Sequence, residues 1–172
     1  KLKLGEEGVL AEVRSGVSLA KSLIDDVEFS AEDASRSEVP FLIEVFKTAI
    51  ECGATTLNIP DTVGYAQPDE FYAFVKEILK GVNPPENIVW SVHCHNDLGL
   101  GVANSLAAVR AGARQIECTI NGLGERAGNA SMEEIVMALN TRADQDPAKT
   151  AIDRTKLYST SNLVSHLTGG MV

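Results

Sequence analysis

A strand followed by a helix recurs four times along this chain at a period of about 30 residues, and that repetition restricts the fold more than any other feature. Val27 and Phe29, alternating with Asp26, Glu28 and Ser30, form the first strand, and a helix over about residues 40–52 follows, opened by Pro40 and closed by Gly53. Residues 56–62 form the second strand, before a helix from Pro68 to about residue 80. Residues 88–97 form the third, followed by a helix over about 99–111. The fourth, 115–120, runs through a glycine-rich loop into a helix starting at Ser131, where Ser131 and Glu134 have the Ser-x-x-Glu spacing of a capping box. An amphipathic helix over roughly residues 6–24, with Val9, Val13, Val17 and Ala20 at helical spacing, precedes the first unit. A loop over 143–155 and a short apolar segment near 157–167 complete the chain.

Strand–helix alternation predicts parallel strands joined by right-handed crossovers. Strands of a doubly wound sheet are covered on both faces and read as nearly continuous apolar runs, whereas here one side of each strand is polar. Asp26, Glu28 and Ser30 form the first polar row; Thr56, Asn58 and Thr62 the second; Ser91, His93 and His95 the third; Glu117, Thr119 and Asn121 the fourth. The opposite rows, including Phe29, Leu57, Ile59, Trp90, Val92, Cys94, Ile116 and Cys118, are expected to face the helices. A polar interior suits an α/β barrel, whose chemistry lies at the carboxyl ends of its strands. Eight strands close such a barrel, and this chain has four, so the expected fold is a partial TIM (β/α)8 barrel. Its barrel half covers residues 1–142, and residues 143–172 form a loop and the start of a post-barrel segment.

The chain has 172 residues, 44% hydrophobic and 23% charged, enough for one globular core. A net charge of -9 without lysine or arginine runs argues against nucleic acid as a general partner. Cys52, Cys94 and Cys118 are dispersed and odd in number, which speaks against a disulfide framework and for a reducing, cytoplasmic setting. No apolar segment reaches membrane-spanning length, and the amino end lacks the apolar core of a signal peptide. Starting without methionine, directly before a helical pattern, the sequence reads as part of something longer.

His93 and His95 stand two residues apart in a strand and therefore project to the same side. A divalent cation is the usual reason for such a pair; the alternative is one histidine on substrate and the other only hydrogen-bonded. A hard or borderline ion would add oxygen ligands, for which the Asn129 carbonyl is a candidate. Asp97 is read as the cap of the next helix in preference to a ligand. Gly122, Gly124 and Gly128 either present backbone amides to an anion or simply turn the chain. Glu28 can orient substrate or transfer a proton, or else pair with Arg36 or Arg126. Cys94 and Cys118 are expected to pack, and His166 to be structural or exposed.

The strings Val27-Glu-Phe-Ser-Ala-Glu-Asp33, Asn58-Ile-Pro-Asp-Thr-Val-Gly64, Val92-His-Cys-His-Asn-Asp-Leu-Gly99 and Gly122-Leu-Gly-Glu-Arg-Ala-Gly-Asn-Ala-Ser131 closely resemble the isopropylmalate synthase and homocitrate synthase family. The resemblance runs in order through nearly the whole chain. It implies an eight-stranded barrel of which the later strands are present, and a Claisen condensation of acetyl-CoA with 2-oxoisovalerate giving 2-isopropylmalate for leucine synthesis. It also implies a divalent cation (manganese, magnesium or zinc) with His93 and His95 as ligands and Asn129 as the associated ligand. Glu28 matches the active-site glutamate, Thr62 a keto-acid contact, and Glu125 with Gly128 the border of the acyl-CoA site. Acetyl-CoA and a 2-oxo acid are the expected partners, with neither nucleic acid nor membrane, and the expected assembly is a homodimer.

Three family features are not found in the string: an Asp-x-x-x-Arg-Asp-Gly motif with a metal-binding aspartate and catalytic arginine, a post-barrel catalytic histidine, and a leucine-binding regulatory domain. The expectation is a chain inactive by itself unless another supplies the missing half. Homocitrate or citramalate synthase, a non-catalytic metal-binding half-barrel that self-associates, and a metal-dependent hydrolase are the other readings. The hydrolase is disfavoured because its His-x-His pair lies on the first barrel strand.

Overall fold

The computed structural model describes residues 4–145 and 148–170. Residues 1–3 of the amino end, 146–147 of the 143–155 loop and the final two residues lie outside the described residues. Helix α1 (Glu6–Leu23) leads into β1 (Glu28–Ser30) and α2 (Val39–Glu51); β2 (Thr56–Asp61) leads into α3 (Pro68–Val82). Strand β3 (Val89–Cys94) precedes α4 (Gly101–Ala111), and β4 (Gln115–Glu117) precedes α5 (Met132–Thr141) and α6 (Leu157–Thr168). The strands form one parallel sheet in the order β1-β2-β3-β4, as the alternation of strand and helix predicts. It is a partial α/β barrel.

The helix-facing rows form the core as expected: Leu57, Ile59, Val92 and Cys94 are fully buried, and Phe46 of α2 is inserted between Phe29 and Trp90. Its ring meets both edge-to-face, with centroids 6.2 Å and 5.4 Å away. Leu10, Val13 and Val17 bury one stripe of α1, and Glu6 and Glu7 in its first turn with Lys21 in its last complement the helix dipole. Helices α2 and α3 approach so closely that a Cβ at Gly81 would collide with the Ile43 side chain.

Register places Glu28 beside Thr56, Ser30 beside Asn58, Asn58 beside Ser91, and His93 between Pro60 and Glu117. The polar rows therefore share one face, to which Gln115 also belongs. Three strand spacings separate β1 from β4, roughly 14 Å in a flat sheet. Yet Gln115 Nε2 donates to Glu28 Oε2 at 2.9 Å, joining the two edge strands across the polar face. Two side chains span that gap only if the sheet curls, and the curl is that of a barrel wall.

Several elements differ from expectation in extent. Strand β3 ends at Cys94, before His95, and β4 ends at Glu117, where the chain bends into a 3-10 turn at Ile120–Gly122. Helix α3 carries a capping box between Gln67 and Glu70 that lacks the Ser or Thr of the usual signature. At α5 the Ser131 hydroxyl accepts from Glu134 N as expected, but it is the Glu133 carboxylate that Ser131 Oγ reaches, at 2.9 Å. Helix α6 packs back on the barrel half, where Asn121 Nδ2 donates to Ser161 O and Ser165 Oγ at 3.1 Å and 3.2 Å. Among the described residues no helix is long and apolar enough to cross a membrane.

Phe46 is fully enclosed, so Phe46→Ala should destabilise the chain by about 3–5 kcal/mol. Leu19→Ala, on the exposed side of α1, should change stability by no more than about 0.5 kcal/mol. Urea unfolding of both variants checks the contrast.

Candidate metal and substrate site

A cleft of about 200 Å³ opens at the carboxyl ends of the strands, lined by Ser30, Glu32, Asn58, Pro60, Thr62, His93, His95 and Glu117. A larger cleft of about 890 Å³ lies elsewhere, between α4, α5 and residues 148–152, and contains none of the predicted site residues.

His93 points to the polar face because it lies in register with Pro60 and Glu117. His95 is one residue past the strand, held by its N–H to Asp61 O at 3.3 Å. The two imidazoles converge, with Nε2 atoms 3.0 Å apart and ring centroids 4.9 Å apart. Burial is the largest influence on both and depresses their basicity; for His95 the neighbouring His93 and Arg126 depress it further. Both rings are therefore neutral near pH 7, the form in which imidazole ligates metals.

The glycine-rich loop brings Asn129 to the same end of the sheet. Asn96 N donates to Gly128 O at 2.9 Å and Ala130 N to Cys94 O at 3.0 Å, so His95 and Asn129 form one antiparallel bridge. Those two bonds flank the couple without passing through it, the arrangement in which opposed side chains stand closest, with Cα atoms about 4.5 Å apart. Asn129 Nδ2 donates to Leu123 O at 3.0 Å, while its buried Oδ1 has no hydrogen-bond partner. Asn129 lies opposite His95 in this bridge, and an amide oxygen with two imidazoles at one end of the sheet are donor types that suit a divalent cation. No three His, Cys, Asp or Glu side chains gather to hold a metal among the described residues, so a charged oxygen ligand is what this donor set lacks.

Thr62 lines the same cleft; its hydroxyl accepts from Asp33 N at 2.9 Å, and its carbonyl accepts from Arg126 Nη2 at 2.8 Å. Glu28 shares the polar face but sits deeper, at the amino end of β1, and does not line the cleft. Neither arginine considered as its partner reaches it: Arg36 pairs with Asp33 at 2.6 Å and Arg126 with Asp97 at 2.7 Å. Partial burial, then the adjacent Glu117 carboxyl, push the Glu28 carboxyl up to about 7. Glu125 extends into solvent with its side chain 82% exposed, so the structure does not bring it to the cleft. Gly128 is buried with φ +99°, and a Cβ there would strike the Gly122 carbonyl oxygen.

The helix cap expected of Asp97 belongs to Asn96, whose Oδ1 accepts from Gly101 N at 3.0 Å. Asp97 instead receives Arg126 through Nε and Nη2 at 2.7 Å and 2.9 Å, which holds its carboxyl below the usual range. Sequence reasoning also missed Glu117 as a site residue. Its Oε2 is 2.9 Å from His93 Nδ1, off the line needed for a good hydrogen bond. Its place in a polar row was the available signal. Cys94 is enclosed, and burial pushes its thiol up to about 12, so it packs rather than reacts.

A family model described as HMGL-like matches residues 1–164. The chain belongs to the HMGL-like family. It is 60% identical over 169 residues to a 2-isopropylmalate synthase of Carboxydothermus hydrogenoformans, covering 98% of this chain and 33% of that protein. A 2-isopropylmalate synthase of Heliobacterium modesticaldum is 57% identical over 172 residues, covering 100% of this chain and 34% of its own length. The chain thus spans about a third of the length of these relatives. Among solved structures, an HMG-CoA lyase of Bacillus subtilis superposes with a TM-score of 0.77 at 22% identity, over 99% of this chain and 58% of that one. An HMG-CoA lyase of Acinetobacter baumannii, in complex with coenzyme A and 3-methylmalate, gives 0.74 at 23% identity over 93% and 54%. These two likenesses show the shared fold.

Glu28 gives a pH prediction. Its folded-state value lies above the ordinary 4.5, so its contribution to stability is fully present below 4.5 and is lost as pH rises through about 7. The effect is small because the side chain remains open to water. Relative to Glu28→Gln, the chain should lose stability across that interval, read as the difference in urea midpoints; a difference constant with pH would refute the assignment.

Proposed function

We propose that this chain is the later half of the catalytic barrel of a 2-isopropylmalate synthase, an acyltransferase of leucine biosynthesis that condenses acetyl-CoA with 2-oxoisovalerate. The observation that carries the reading is the 60% identity to a protein of that name across 98% of the chain, a span that includes every donor of the candidate site. Convergent imidazoles beside an unpartnered amide oxygen support it from the geometry.

His93, His95 and Asn129 would hold a divalent cation, manganese, magnesium or zinc. When bound, that ion supplies Lewis-acid polarisation of a 2-oxo acid carbonyl. Thr62, on the rim of the same cleft, offers a hydroxyl to the keto acid. With its carboxyl near 7, Glu28 exchanges a proton readily at working pH, the property required of a group that holds or moves one during condensation. Glu117 and Gln115 orient it from the far edge of the curled sheet. Gly128 and Glu125 are assigned to the side of the site that borders acetyl-CoA. A cytoplasmic setting and assembly as a homodimer belong to the same reading.

The Asp-x-x-x-Arg-Asp-Gly string does not occur in these 172 residues, and the described donors include no metal-binding carboxylate cluster. The chain alone should therefore release no CoA from acetyl-CoA and 2-oxoisovalerate. Mixing it with a polypeptide bearing the first four strands of a relative should restore CoA release, and His93→Ala or His95→Ala in the mixture should abolish it. Substantial release by the unmixed chain would refute the proposal.

A further inference from the structure

The larger cleft, about 890 Å³ between α4, α5 and residues 148–152, lies on the far side of β4 from the histidines. Its floor is the helix-facing row of β4, Ile116 and Cys118, and one wall is the inward face of α5, with Ile135, Val136 and Leu139. Ile135 and Leu139 belong to a small second core against which Ile116 and Cys118 pack. Ala113, Ala148 and Ala151 also line the cleft, and their single methyl groups leave the space unfilled. Protein interiors close to the density of organic crystals, so an opening of this size walled by apolar groups is room for the apolar body of a ligand. Floor and walls come from this chain's own elements, which favours a small molecule over a polypeptide segment.

The charges around the cleft have one sign. Arg110, Arg114 and Lys149 border it and no Asp or Glu does, in a chain with 24 acidic residues against 15 basic ones. Elsewhere, arginines pair with carboxylates: Arg36 with Asp33, Arg126 with Asp97, Arg142 with Asp144. Arg114 differs. Its Nη1 donates to the carbonyls of Ala113 and Val109 at 2.6 Å and 3.3 Å, and among the described residues no carboxylate pairs with it or with Lys149. Those two bonds use both N–H groups of Nη1 and hold the guanidinium at the cleft, while Nε and Nη2 keep three more to offer. Gathered cations repel one another, and an anionic group between them relieves that repulsion.

We propose that this cleft binds an anionic amphiphile, its alkyl chain seated on Ile116, Val136 and Leu139 and its carboxylate or phosphate head held by Arg114 and Lys149. Burial of the chain supplies the affinity, and the guanidinium selects the head, since its paired N–H groups match the oxygens of either anion. The site shares no residue with the histidine cleft and is independent of the function proposed above.

Isothermal titration of the full chain with decanoate and with decyl phosphate, below their micellar concentrations, measures the affinity, and methyl NMR locates the binding. At least one of the two should saturate and shift the methyl signals of Ile116, Ile135, Val136 and Leu139, leaving Ile59 and Val92 of the main core unmoved; whichever head binds more tightly names the source. Acetate, which lacks the chain, and decyltrimethylammonium, which lacks the anion, should not saturate. Lys149→Gln, at an exposed position, should weaken binding about threefold, and Lys149→Gln with Arg114→Gln about tenfold, the scale of exposed ion pairs. Failure of both amphiphiles to saturate would overturn the proposal, as would equal binding of decyltrimethylammonium or acetate, shifts scattered over the surface, or an unchanged affinity in Lys149→Gln. Displacement of the amphiphile by a polypeptide bearing the first four strands would overturn it too, because closure of the barrel would then fill the cleft. None of these results bears on CoA release by the mixed halves, so the two readings fail separately.

Discussion

Two backbone hydrogen bonds, Asn96 N to Gly128 O and Ala130 N to Cys94 O, are the constraint on which the site depends. They fold the glycine-rich loop against the end of β3 and fix Asn129 opposite His95 in the couple that brings side chains closest. The reversal requires Gly128 at φ +99° packed under the Gly122 carbonyl, where no Cβ fits. Its bonds are main-chain bonds, so the loop positions its side chains with the rigidity of a strand. One loop consequently positions both Asn129, opposite His95, and Arg126, whose Nη2 stands 2.8 Å from His95 Nδ1.

The repeating architecture was legible because it follows from periodicity and from composition along the chain. Alternation of polar and apolar residues in each strand located the working face, and two-residue spacing put His93 on it. His95 reached the expected place for a different reason, since regular strand structure stops at Cys94 and an antiparallel bridge takes over. Asn129 was a candidate from its amide oxygen as well as from the resemblance, but its pairing across the turn depends on a loop reversal that no short-range pattern encodes. The capping role went to Asn96 and not Asp97 because a distant arginine claims the carboxylate, an interaction across 29 residues of sequence. Glu117 was visible as a polar strand residue, but its approach to His93 follows from parallel register, which the string does not state.

Curl turns that register into chemistry. Glu28 and Gln115 belong to opposite edges of the sheet and meet only because the polar face is concave. Concavity also brings Glu117 beside Glu28, and partial burial together with that neighbouring carboxyl raises the Glu28 carboxyl. The elevated Glu28 carboxyl is thus a product of barrel geometry and would vanish in a flat sheet of identical sequence.

The same face contains groups that packing does not explain. Asn58 is almost wholly buried, donates through Nδ2 to Ser30 Oγ at 3.2 Å, and leaves its Oδ1 unpartnered, as Asn129 does. Each buried carbonyl left without a donor costs about 1–3 kcal/mol. An apolar residue of similar size would avoid that cost at either position, and the opposite face of the same strands is filled with such residues. Both amides occur on the polar face, one lining the cleft and the other paired with a histidine of it. Unpartnered amide oxygens also occur at Asn104 of α4 and at Asn121, so it is their place beside the cleft and its histidine, and not the missing partner, that sets Asn58 and Asn129 apart.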